Sequence, residues 1–397
     1  MTEPDFLGFD GDNHYYEATD AFTRHLEPEF AGAVQWAEIN KRQRLVLSGK
    51  VCNFLPNPTF SKLAAPGSLE QYFRGNNESG GSIISQFGAL EPIRPEYRDR
   101  DARITVMDEQ RLEGAFFFPT LGVGIEQGMR HDLPASRAAF RAFNRWLNED
   151  WGFAYKNRIF AAPYITLSDP DAAVEELKWV LEQGARIVVQ QTGPIKTAEG
   201  YKSPADPRFD RYWATVAEAG ITVSYHSGDT AYSQILGMWG EDEEMNAHHM
   251  TLMRAVVSPA PERDTIGALI TGGVFARHPN LRVAIIESGA DWAAPLLKSL
   301  GKSFGQQHQL YAEDPEDTFA RHVWVTPFYE NDLREVGALL GADRMVMGSD
   351  WPHTEGLANP LDFKKDLDAA DFSAADQRLI MRENGLALSR PRISALT

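Results

Sequence analysis

Two short segments near opposite ends of the chain carry acids and imidazoles at spacings that suit one cation. The first, Phe6-Leu7-Gly8-Phe9-Asp10-Gly11-Asp12-Asn13-His14, is an apolar run that ends in Asp12-x-His14. Residues two apart on a strand point to the same side, so Asp12 and His14 can grip one ion together. The second is Val346-Met347-Gly348-Ser349-Asp350-Trp351-Pro352-His353, where a buried-strand pattern stops at a small pair and then delivers Asp350 and His353. His226 and Glu287 each end a further apolar run, ITVSYH and LRVAIIE. Carboxylates and imidazoles without thiolates suit zinc, manganese or iron, with open positions left for water or substrate. The single cysteine, Cys52, excludes an intramolecular disulfide and a thiolate cluster; among Val51, Phe54 and Leu55 it is expected to be inert.

The elements that would position these residues are strands alternating with helices. Strand-like segments fall at 7–12, 114–120, 160–167, 185–191, 221–226, 281–287, 322–327 and 344–349. Between them helices are expected, among them one opened by Ser168-Asp169-Pro170 and running to about Glu182, and another over 266–277. This alternation calls for a parallel sheet with helical crossovers. Eight units, with no G-x-G-x-x-G or phosphate loop, favour a closed (β/α)8 barrel over a doubly wound sheet. Chemistry in such a barrel gathers at the carboxyl ends of the strands, where Asp12, His14, His226, Glu287, Asp350 and His353 all fall. Residues 42–103, rich in Gly, Pro and Asn, read as an insertion over the barrel mouth within a single domain spanning 1–397. A second long loop, 227–263, contains Trp239 and His248-His249.

Composition narrows the class. Hydrophobic residues make up 43% of the 397 and aromatics 11%, enough for a substantial core. The net charge of -17 argues against nucleic acid. The amino terminus lacks a signal-peptide pattern and no apolar run is long enough to span a bilayer. The expectation is a cytoplasmic homo-oligomer that binds a small-molecule substrate and neither nucleic acid nor membrane.

With Asp12-x-His14, His226 and Gly348-Ser349-Asp350-x-Pro-His353 in place, the chain resembles the amidohydrolase superfamily. The likeness lies within the group that includes aminocarboxymuconate-semialdehyde decarboxylase and aromatic-acid decarboxylases. It extends to Asn144-Arg145-Trp146-Leu147, Phe275-Ala276-Arg277-His278-Pro279 and Glu287-Ser288-Gly289. The resemblance implies a barrel, a divalent metal, and Asp12, His14, His226 and Asp350 as its ligands. Two departures stand out. The fourth strand ends in Val189-Gln190-Gln191, without the lysine or acid that bridges two metals in binuclear members, so one ion is the default expectation. The sixth ends in Glu287, where decarboxylase-like members place a catalytic histidine.

Glu287 therefore has three readings: a carboxylate that holds His226 or a loop amide, a general base, or a ligand for a second ion completed by His353. His353 is read as a clamp on the Pro352 turn or as a catalytic residue that touches substrate or metal. Asp350 would bind metal and shuttle a proton, as the resemblance implies for hydrolytic members. Asp10 is expected to be structural and the histidine pair at 248–249 solvated. Tyr15, Tyr16, Trp239, Trp292 and Trp351 are candidates for an aromatic substrate wall; Lys202, Arg254 and Arg263 for a carboxylate anchor. Metal-dependent hydrolysis is the leading expectation. Non-oxidative decarboxylation is the alternative, followed by oxygen activation at two irons or iron and manganese; against a non-enzymatic scaffold stands the intact ligand set.

Overall fold

The computed structural model describes residues 4–78, 80–257 and 260–392, and within them the apolar runs pair in parallel. β1 (Gly8–Tyr15) pairs with β2 (Leu112–Pro119), and β2 with β3 (Ile159–Ala161). A second parallel set follows in the order β4 (Ile187–Gln190), β5 (Thr222–His226), β6 (Arg282–Ile286) and β7 (Val323–Val325). Backbone contacts join the two sets on both sides. Tyr164, just beyond β3, bridges Val189 of β4. On the other side the segment 345–351 lies between β7 and β1. Met345 bridges Val325, Trp351 bridges Asn13, and the Gly11 and Asp350 amides donate to the Met347 and Asp12 carbonyls at 2.7 and 2.8 Å. The eight segments thus hydrogen-bond in a closed ring, the barrel expected from the alternation.

Every residue of β1, β4, β5 and β6 is buried. Strands enclosed on both faces need no polar alternation, which is why they read as nearly continuous apolar runs. The eighth segment pairs only through single bridges and not as the continuous strand expected over 344–349. Its chain turns at Asp350, whose φ of 55° leaves the extended region.

The helix Pro170–Glu182 starts where expected, because the Asp169 carboxylate accepts the amides of Asp171 and Ala172 while Pro170 fills the first turn. It packs Val174, Leu177 and Val180 inward. The helix expected over 266–277 is instead two, Ala260–Thr271 and Val274–Arg277. Gly273 separates them at φ 68°, a conformation that costs glycine nothing.

The limits 42–103 cut through two elements. Val34–Ile39 and Arg42–Leu47 form an antiparallel hairpin whose tip residues, Asn40 and Lys41, both have positive φ, as a tight two-residue turn requires. The extra structure thus begins before Arg42. At the other end the helix Arg100–Glu109, capped by the Asp99 carboxylate, already belongs to the crossover into β2. Between them the short strands Lys62–Leu63 and Glu91–Pro92 pair antiparallel. Among the described residues no helix is long and apolar enough to cross a membrane.

Candidate metal centre

The strand ends bring all six expected residues together. Asp12 and His14 leave β1 on one side, with Asp12 Oδ1 3.3 Å from His14 Nε2. His226, the last residue of β5, sets its Nε2 3.4 Å from Asp12 Oδ1 and 3.2 Å from His14 Nε2. Glu287 follows β6 at φ 56° and places Oε2 3.3 Å from the same His226 nitrogen. Donors about 2.0–2.2 Å from one ion in a tetrahedral arrangement stand about 3.3–3.6 Å apart, the spacing found here. Asp12 Oδ1, His14 Nδ1 and Asp350 Oδ2 are buried without a hydrogen-bond partner. A divalent cation fits this cluster. Gly348 leaves room for the Asp12 side chain, since a Cβ there would stand 2.8 Å from Asp12 Cβ.

Glu287 does not serve to orient His226. The nitrogen available for that task, Nδ1, faces the Ser227 carbonyl at 2.8 Å, and Glu287 faces the metal-binding side. His226 therefore carries its proton on Nδ1 and presents the Nε2 lone pair to the site.

Asp350 and His353 stand beside these donors. Asp350 Oδ1 lies 3.3 Å from His14 Nε2 and 2.6 Å from His353 Nδ1. Thr120 decides what that short contact is. Its hydroxyl donates to the Tyr15 carbonyl at 2.8 Å, so toward His353 Nε2, also at 2.8 Å, it can only accept. His353 thus keeps a proton on Nε2, and one further proton lies between Nδ1 and Asp350. Burial holds His353 below the ordinary imidazole range; burial and the charges of Glu355, Asp12 and Asp10 hold Asp350 well above the ordinary carboxyl range. Both directions put the shared proton on Asp350 while no cation is present.

Glu287 is likewise raised well above its ordinary range, by burial and then by Asp350 and Asp12. Asp12 behaves oppositely. Burial opposes its ionisation, but the His14 and His226 imidazoles beside it outweigh that and hold it below the usual range. A divalent ion held by Asp12, His14, His226 and Glu287 must displace the proton of Glu287 to use its oxygen. Titration with Mn2+ at pH 7 is therefore expected to release about one proton per ion, read as buffer-dependent heat in calorimetry. Affinity should rise with pH across the same range. Heat independent of the buffer would contradict this protonation state.

One donor went unnoticed in the sequence: Glu355, which joins Glu287, Asp350 and His353 in a second overlapping group whose ligand atoms lie within 4.8 Å of one another. Its signal was His353-x-Glu355, the spacing of Asp12-x-His14 in reverse, hidden in a Thr-Glu-Gly loop. Asp10 is structural, as expected, accepting from Ser349 N at 2.9 Å, Ser349 Oγ at 2.5 Å and Asn13 Nδ2 at 2.8 Å. Of the aromatic candidates Tyr16 lines the cavity over the site, whereas Tyr15, Trp292 and Trp351 are packed in the core and Trp239 is exposed outside it. Of the histidine pair, His249 is exposed, and His248 is half-buried in the cavity wall with its ring edge-on to Phe87 at 5.1 Å. Arg254 lines it too; Lys202 and Arg263 do not. Cys52 is buried, its thiol pushed up to about 11.

Comparison with known proteins gives this site its relatives. The family model described as amidohydrolase matches residues 89–388. A solved amidohydrolase from Mycobacterium avium subsp. paratuberculosis is 41% identical, with 97% of this chain and 100% of that one covered at a TM-score of 0.91. 2,6-Dihydroxybenzoate decarboxylase from Rhizobium is 19% identical over 82% of this chain and 96% of its own, at 0.58. 5-Carboxyvanillate decarboxylase from Novosphingobium aromaticivorans, solved with manganese and a nitrobenzoic acid, is 16% identical over 97% and 96%, at 0.59. The last two share the fold, and the manganese in one of them agrees with the divalent ion that the donor cluster fits. The chain belongs to the amidohydrolase family.

Proposed function

We propose that the protein is a metal-dependent decarboxylase that removes CO2 from an organic acid without redox change. The observation that carries this reading is the Asp350–His353 pair, which holds one proton on a 2.6 Å contact beside the ion's donors, with His353 facing the cavity. Decarboxylation breaks a C–C bond, releases CO2, and leaves an electron pair on carbon that takes up one proton. Asp350 would deliver that proton, and solvent entering the cavity after CO2 leaves would return one to the pair through His353, whose ring Thr120 fixes. A divalent ion among Asp12, His14, His226 and Glu287 would supply positive charge that binds the acid's oxygens and draws electrons from the breaking bond. The structurally similar decarboxylases support the reading.

Hydrolysis, the leading expectation from the sequence, stands as the second reading because Glu287 places a carboxylate where it could take a proton from water. The two separate cleanly. In D2O a decarboxylase leaves one deuterium on the carbon that lost CO2; a hydrolase incorporates 18O from labelled water and evolves no CO2. Asp350→Asn is expected to slow CO2 release by about 100-fold or more, the usual contribution of a positioned acid. Oxygen uptake coupled to turnover would overturn both readings and favour chemistry at two ions, for which the second donor group is suited.

A further inference from the structure

The cavity over the ion site has a volume of about 1130 Å3. Pockets for small ligands usually span roughly 300–1,000 Å3, so this one exceeds what a single-ring acid requires. Away from the ion site its walls are largely hydrocarbon, with Phe54, Phe60, Phe73, Phe87, Leu90 and Phe328 contributing. Four apolar lining side chains stay open to solvent: Phe73 at 38%, Ile84 at 65%, Leu90 at 56% and Met250 at 42%. Single exposed apolar residues need no explanation, but four converging on one concavity make a patch that a ligand would cover.

The basic groups point the same way. Arg254 is buried in the wall, where its guanidinium donates to Ser233 Oγ at 3.0 Å and to the Asp242 carbonyl. Arg42 and Lys62 are solvent-exposed. His248 is held against Phe87. Among the described lining residues, an anionic group deep in the cavity therefore finds its complement at the ion site, and the remainder of the ligand meets hydrocarbon.

From this we infer that the substrate is a carboxylic acid with a bulky, neutral, apolar body larger than one aromatic ring. Its carboxylate reaches the ion site while the body covers Phe73, Ile84, Leu90 and Met250. The carboxylate rests on the decarboxylase reading; the size and polarity of the body rest on the cavity alone. Hydrophobic burial grows with contact area, so the body and not the acid group should dominate discrimination.

Calorimetry on the Mn2+-loaded protein tests this with three probes: benzoate, pyrenecarboxylate and pyrenemethanol. Pyrenecarboxylate is expected to bind about 100-fold more tightly than benzoate. His226→Ala should lower its affinity to that of the uncharged alcohol. Leu90→Asp and Ile84→Asp alter exposed side chains and so spare the fold; each should weaken pyrenecarboxylate about tenfold and leave benzoate unchanged. Benzoate binding as tightly as pyrenecarboxylate, or both aspartate variants binding like the parent, would overturn the inference. CO2 release is scored separately. Tight pyrenecarboxylate binding with no CO2 from any acid would sink the decarboxylase reading and keep the size inference. Turnover confined to single-ring acids, with pyrenecarboxylate excluded, would do the reverse.

Discussion

Replacing His226 with alanine is expected to strip the protein of its ion and abolish turnover while leaving the barrel folded. His226 contributes the Nε2 lone pair that lies 3.2–3.4 Å from donors on His14, Asp12 and Glu287, and its own ring is fixed by the Ser227 carbonyl. Without it, three remaining donors surround a gap, two of them carboxylates that repel each other when ionised. Loss of residues that merely support a metal ligand typically costs about 10–100-fold in affinity, so loss of the ligand should exceed that. Metal content measured by plasma mass spectrometry should fall well below one ion per chain after dialysis against dilute Mn2+. Circular dichroism should still report the folded barrel, because His226 stands at the end of β5, beyond the apolar interior. A variant that keeps stoichiometric metal would remove this histidine from the centre.

The second large effect concerns a residue that binds no ion. Asp10→Ala leaves the amide and hydroxyl of Ser349, the Asn13 side-chain amide and the Asp12 amide without their acceptor. All of these groups are buried. Each buried polar group stripped of its partner costs about 1–3 kcal/mol, and some will find others, so a net loss of ~3–5 kcal/mol is expected. Denaturant unfolding reads it directly. The same substitution should weaken Mn2+ binding, since Ser349 precedes Asp350 and Asn13 stands between Asp12 and His14. Burial pushes Asp10 up to about 7, so Asp10→Asn, which keeps one acceptor oxygen, should cost much less. Equal losses from the two substitutions would mean that volume, and not hydrogen bonding, sets the effect.

Much of the barrel was legible in the sequence because its strands are enclosed on both faces. Runs such as Ile187–Gln190 and Arg282–Ile286 are short, apolar and bounded by helical signals, and the cap at Asp169 marks a helix start unambiguously. The six expected site residues were legible for a related reason: a polar residue that ends such a run has little to do but face the mouth. What escaped were features set by contacts distant in sequence. The role of Thr120 follows from two partners, Tyr15 and His353, the second of them 233 residues away. Glu355 lies in a loop whose course no periodicity reports. The hairpin before Arg42 was missed because its strands are half exposed and carry Glu, Arg and Gln, although Asn40-Lys41 is a readable turn.

The seam between β1 and the last segment of the ring has a consequence for how the enzyme is made. Asp10 and Ser349 are 339 residues apart, yet their contact joins the two segments that carry Asp12 and Asp350. During synthesis Asp12 and His14 emerge first and Asp350 last, so the half-site of the nascent chain waits through nearly the whole of translation. Closure of so long a loop is slow and comes late, because its entropy is lost before any contact repays it. The ion is therefore expected to be acquired by a finished barrel and not by a folding intermediate. A chain truncated before Met345 should carry no high-affinity metal, however much of its helix and strand has formed.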